Sequence, residues 1–150
     1  MKNKEEVFSQ LTGLFSTQKF AVLSTNQQGQ PYSNLVAFVS ARDLKTLYFA
    51  TTRATRKFAN ISSDFRVSLL IDSRSNRSAD FADAVAVTAV GKTEEVSKGE
   101  RDLVLEKYLS KHPELKEFVV SPTCALMQVT VDTYFIVNRF QNVQELHMKT

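Results

Sequence analysis

The sequence predicts a mainly β domain with short helices, its antiparallel strands forming a closed or partly closed barrel. Three observations carry that expectation. Val (16), Ile (3) and Thr (13) supply 32 of the 150 residues, a vocabulary that suits pleated, half-buried strands. Only four glycines and three prolines punctuate the chain, so the strands are long and the turns few. Short polar turns separate the early apolar runs, which joins neighbours antiparallel, and a barrel removes the edges such strands would otherwise expose.

Each element follows from local pattern. Val7, Phe8, Leu11, Leu14 and Phe15 repeat at the spacing of one helical face, predicting a helix over 4–16. Residues 20–25 form a buried strand that stops at Asn26-Gln-Gln-Gly29, a turn with a permissive glycine. Strands over 31–40 and 46–50, joined by the polar turn 41–45, complete a meander. Thr55 then caps a short helix containing Lys57, Phe58 and Ile61. Strand 66–71 and the polar loop 72–78 follow, with Arg74 and Arg77 expected in solvent. A long strand runs from Val85 through Gly91 to about Glu95, and Glu94-Glu95 reads as its end in water. A helix over 98–110 uses Leu103, Leu105, Tyr108 and Leu109 as its apolar members until His112-Pro113 interrupts it. Glu114 to Val119 adds a further helical turn. The last strand, 124–137, aligns Ala125, Met127, Val129, Val131, Thr133 and Phe135 on one face; Phe135 and Phe140 are expected in core and interface.

Composition narrows the class. One domain spans 1–150, with 43% hydrophobic and 23% charged residues, which excludes a disordered or low-complexity chain. No run approaches the roughly 18 apolar residues needed to cross a bilayer, and Met1 to Glu6 leads into no apolar signal core. A lone cysteine, Cys124, forms no internal disulfide and is expected packed, so the expectation is a reduced, cytoplasmic protein. His112, beside Pro113, is expected at the surface, and His147 near a frayed end; no metal spacing links them. The net charge, 19 − 16 = +3, is too small and too scattered to favour nucleic acid, and the aromatics are expected to face the core.

The segment richest in chemistry is Leu47-Tyr-Phe-Ala-Thr-Thr-Arg-Ala-Thr-Arg-Lys57. A strand ends, and a helix opens on a hydroxyl, a guanidinium and an ammonium. Free amides at a helix start favour an anion, Arg clamps two oxygens, and Lys adds a point charge. The same cations would also sit on a solvated face. Against the helix dipole each costs about 0.3–1 kcal/mol, a penalty that an anion between them removes.

With Ala21-Val-Leu-Ser-Thr25, Gly29-Gln-Pro-Tyr32 and Arg66-Val-Ser-Leu-Leu-Ile71, this segment resembles the pyridoxamine 5′-phosphate oxidase-like family of FMN-binding split barrels. The resemblance covers about Phe20 to Glu95. It implies an antiparallel split β-barrel, FMN as cofactor, and a homodimer with flavin at its interface. Thr55, Arg56 and Lys57 would hold the FMN phosphate. Ala50, Thr51 and Thr52 would follow the ribityl chain and ring, and Asn34, Leu35 and Val36 would meet the isoalloxazine edge. Arg53, or Arg139 of the partner subunit, would oppose the charge of reduced flavin. Two features depart from the authentic oxidase: Ser33 to Val36 carries no basic side chain, and the end of the chain lacks the Arg-Leu pair that grips the vitamin phosphate. The implied activity is therefore a flavin-dependent oxidoreductase with another small-molecule electron donor or acceptor. The alternative is an FMN- or haem-binding sensor without turnover, and a nucleic-acid module is the weakest reading. No catalytic acid or base stands out.

Overall fold

The structure, a computed structural model, describes residues 2–139 and 142–148, so the expectation for Phe140 lies outside the described residues. Helix α1 (Lys4–Thr17) opens with a capping box in which the Asn3 side chain accepts from the Glu6 amide. Strands β1 (Phe20–Gln27), β2 (Gln30–Ser40) and β3 (Thr46–Thr52) follow, then α2 (Arg56–Ser63) and β4 (Arg66–Asp72). A single turn, α3 (Asp80–Asp83), precedes β5 (Val85–Glu95) and α4 (Arg101–Lys111). After the 3₁₀ turn Pro113–Leu115 come α5 (Lys116–Val120), β6 (Cys124–Asn138) and β7 (Asn142–His147). The β1–β2 hairpin turns on Gln28 and Gly29, at φ 52° and 85°, the left-handed pair that matches strand twist.

All pairings are antiparallel in the order β3-β2-β1-β4-β5-β6-β7, and β3 also pairs with β6. That last pairing closes a six-stranded barrel and leaves β7 as an extension. Leu23, Phe38, Phe49, Leu69, Val87 and Val129 fill the interior, and α1 adds Val7, Leu11, Leu14 and Phe15 to the same core. Phe8, expected on that face, is exposed. The Lys111 ammonium closes the last turn of α1, donating to the Phe15 carbonyl at 2.7 Å and lying 3.9 Å from the centre of the Phe38 ring. Burial pushes this lysine down to about 8.

The barrel is split between β2 and β3. They pair only from Phe38↔Phe49 to Ser40↔Leu47, after which β2 stays with β1 and β3 with β6. Two side chains one helical turn apart fill the wedge. The Tyr108 hydroxyl donates to the Ala37 carbonyl at 3.0 Å, and His112 Nε2 lies 2.8 Å from the Phe38 carbonyl. A carbonyl only accepts, so Nε2 carries the proton. His112 is therefore buried, not at the surface, because separated strands leave acceptors that need donors.

Other expectations are corrected too. β6 carries an extra residue: Val90 pairs with Thr133 and Gly91 with Val131, leaving Asp132 unmatched. The bulge exchanges faces, so Tyr134 and Ile136 enter the core while Thr133 and Phe135 face outward. Gly91 is required there, since a Cβ would collide with the Thr130 carbonyl. α4 buries Val104 and Tyr108, whereas Leu103 is 73% exposed. β7 and α3 were not anticipated; β7 buries only Leu146 and α3 buries nothing. The aromatics do not all face the core, since Phe20, Phe65, Phe81 and Phe118 are exposed.

Candidate functional site

The strand–turn–helix from β3 to α2 is built as a rigid corner at the open end of the split. Thr52, the last residue of β3, pairs with Cys124 at the start of β6, and the Arg53 amide donates to the Thr123 carbonyl at 2.9 Å. The Thr55 hydroxyl donates to the Thr52 carbonyl at 2.9 Å and accepts from the Phe58 amide at 3.2 Å, the N-cap of α2. The buried Thr51 hydroxyl lies 3.1 Å from it. From the other side, Asn60 donates to Thr25 at 3.0 Å inside the core. Asn26 donates to Asp64 at 2.6 Å, and the Arg66 guanidinium on Asp64 holds that carboxyl well below the usual range. The start of α2 is thus tied to β3, and its middle and C-terminal end to β1.

The charges on this corner divide into committed and uncommitted. Arg53 makes a bidentate ion pair with Glu95, at 2.8 and 2.6 Å, which lowers the Glu95 carboxyl. Glu95 is therefore no free strand end, and Arg53 is spent. Arg56 is exposed, with one long contact to Gln27 at 3.4 Å. Lys57 differs: its side chain is partly buried, burial pushes its pKa down, and among the described residues it has no ion pair or hydrogen bond. Two cations, Arg56 and Lys57, and the free amides of a helix start therefore share a first turn that holds no acid.

The remaining candidates are distributed in two ways. Ala50, Thr51, Thr52, Thr55, Arg56 and Lys57 lie on this one corner. Asn34, Leu35 and Val36 lie across the split, on the β2 edge that faces away from β1 and has no strand beside it. The Asn34 side-chain oxygen is buried with no hydrogen-bond partner, an orphan acceptor beside the opening. Arg139 lies elsewhere, since the fifteen-residue β6 begins beside Thr52 and ends beside Val85 at the opposite end of the barrel. Cys124 is packed, with burial raising its thiol, and carries no nucleophile's setting. Among the described residues, no three His, Cys, Asp or Glu side chains are grouped to hold a metal ion. The sequence reading passed over Asn60, Glu95, Tyr108 and His112 as parts of this corner. Asn60 alone carried a signal, a polar residue on the buried side of a short amphipathic helix.

The chain is thus a split β-barrel whose open end carries a cationic helix start. The sequence matches pyridoxamine 5′-phosphate oxidase over residues 8–138, and the chain belongs to that family. Solved structures share the fold. A haem-binding protein from Mycobacterium smegmatis superposes with a TM-score of 0.84 at 15% identity, covering 98% of this chain and 59% of that one. General stress protein 26 from Bacillus anthracis matches at 0.72 and 19% identity, covering 95% and 99%. An FAD-binding protein from Mesorhizobium loti matches at 0.69 and 14%, covering 85% and 90%. No curated protein sequence matches the chain.

Proposed function

We propose that this protein binds FMN as a homodimer and serves as a flavin-dependent oxidoreductase for a small-molecule electron donor and acceptor. The observation that carries the reading is Lys57, a partly buried ammonium with no ion pair or hydrogen bond among the described residues, at a helix start that also bears Arg56. Burying an unpaired charge costs stability, and a phosphate dianion removes that cost. Arg56 and Lys57 would grip the phosphate, while Thr55, busy with the cap, would fix the amides that point at it. Ala50, Thr51 and Thr52 would flank the ribityl chain. The open edge of β2 at Asn34, Leu35 and Val36 offers backbone groups to a flat polar ring, and the orphan Asn34 oxygen is an acceptor for a ring N–H. FMN bound there supplies the two-electron chemistry, and the chain's own part is to orient and shield it.

The outer face of the barrel supports the dimer. Leu35, Val22, Leu70, Thr88 and Phe135 stand in one row across β2, β1, β4, β5 and β6, all turned away from the core. Leu35 is 67% exposed, and Val90 and Phe20 flank the row. A self-complementary apolar face of this kind suits a two-fold partner, whose Arg139 would be the route by which that residue meets flavin. Of the two histidines, His112 is buried on the Phe38 carbonyl, and His147 is exposed beside Thr133 and Glu145.

The test is the purified protein incubated with FMN. The expected result is a yellow dimer that a reduced nicotinamide bleaches and an acceptor recolours. A protein that takes up no flavin, or one that gives a haem Soret band, overturns the reading.

A further inference from the structure

We infer that Tyr108 is a positioning residue of the proposed flavin site. Its hydroxyl is inserted between β2 and β3 and fixes how far the ring-facing edge of β2 stands from the phosphate corner of β3 and α2. The inference deepens the flavin reading and rests on it.

The register locates the insertion. β2 and β3 pair as Ser40↔Leu47, Val39↔Tyr48 and Phe38↔Phe49, so the next pair in line is Ala37 with Ala50. The Ala41 amide donates to the Thr46 carbonyl at 2.9 Å, while the Phe38 amide turns the other way, to the Lys19 carbonyl at 3.2 Å. Backbone groups alternate sides along a strand, so residues 37, 39 and 41 of β2 face residues 50, 48 and 46 of β3. In an unbroken ladder Ala37 and Ala50 would exchange the next two bonds. Instead the Tyr108 hydroxyl donates to the Ala37 carbonyl at 3.0 Å, and the same oxygen meets the backbone amide of Ala50. A phenol oxygen stands where a direct backbone bond belongs, and beyond it the two strands do not pair again.

That oxygen sets a width. A direct N–H···O bond closes at about 2.9 Å, whereas an oxygen accepting from one group and donating to the other holds them roughly 5 Å apart. The strut is stiff, because Tyr108 is 1% exposed and packs among Val39, Val96, Val104, Val119 and Leu126. Its ring lies 5.1 Å from that of His112, the second side chain in the wedge. Val36 directly precedes Ala37, and Thr51 directly follows Ala50, so the hydroxyl sits between the residues assigned to the ring edge and those assigned to the ribityl chain. A site that grips one ligand at both ends tolerates about 0.5 Å of misplacement, less than the width the hydroxyl adds.

Tyr108→Phe deletes the oxygen and keeps the ring. Flavin-free parent and variant are titrated with FMN and with riboflavin by fluorescence. FMN spans both halves of the site and riboflavin lacks the phosphate end, so the preference for FMN over riboflavin should fall about tenfold in Tyr108→Phe. Val104→Ala thins the same apolar cluster and leaves the hydroxyl in place; it should lose stability and keep the parent's preference. Hydrogen exchange on the flavin-free parent needs no variant: the Ala50 amide should exchange at least about tenfold more slowly than the open-edge Leu35 amide. An unchanged preference in Tyr108→Phe, an equal loss in Val104→Ala, or Ala50 exchanging like Leu35 overturns the positioning role while FMN binding by the parent stands. A parent that binds no FMN removes the flavin reading itself, and this role with it.

Discussion

Replacing Lys57 by methionine should move two properties in opposite directions. The ammonium is partly buried, its pKa is lowered by burial, and among the described residues it makes no ion pair or hydrogen bond. Methionine keeps the length and apolar stem of the side chain and deletes the charge. Without ligand, the substitution removes a desolvation penalty and no interaction, so the melting temperature should hold or rise; the exposed share of the side chain keeps that gain small. With FMN, the substitution deletes a charge-assisted phosphate contact worth about 1.5–3 kcal/mol. Affinity should therefore fall roughly tenfold to a hundredfold. Calorimetric melting of the flavin-free protein and fluorescence titration with FMN measure the two effects separately. A variant that melts several degrees lower without flavin, yet binds FMN like the parent, would show that Lys57 serves the fold and would refute the reasoning.

Three other substitutions probe the frame around that corner. Gly91→Ala should destabilise the barrel by about 1–3 kcal/mol, read in urea unfolding, because the new methyl meets the Thr130 backbone at the bulge; an unchanged midpoint would contradict the close approach. His112 titrates below the ordinary 6.5 because burial disfavours its imidazolium. The unfolded chain therefore takes up the proton first, so stability present above about pH 6.5 is lost as the pH falls, and His112→Gln should flatten that dependence. Equal pH slopes for parent and variant would dismiss His112 as the group responsible. Phe135→Glu, on the outer face, should give a folded monomer in sedimentation, and a persistent dimer would place the contact elsewhere.

Much of the architecture was legible because period and punctuation agree. The α1 face, the Gln28-Gly29 hairpin, β4 and the Thr55 cap each follow from a local pattern that the barrel then satisfies. What could not be read depends on groups distant in sequence. The bulge at Asp132 reverses the face of Thr133 and Phe135, and nothing in an unbroken apolar run announces one surplus residue. His112 looked like a surface residue beside a proline, and only the divergence of β3 from β2 creates the carbonyl that buries it. β7 was missed because a single buried residue, Leu146, leaves no alternation to detect. At the corner itself, residues 50–57 were legible as a motif. Which cations remain free was not, since Arg53 meets Glu95 across 42 positions while Lys57 makes no ion pair or hydrogen bond among the described residues.

The grip on a phosphate is tested most directly by comparing FMN with riboflavin on the flavin-free protein. The two ligands share the ring and ribityl chain and differ only in the group that Arg56 and Lys57 are assigned to hold. FMN should bind at least about a hundredfold more tightly, with the advantage shrinking in Lys57→Met and Arg56→Ala. Equal affinities for the two flavins would contradict the account.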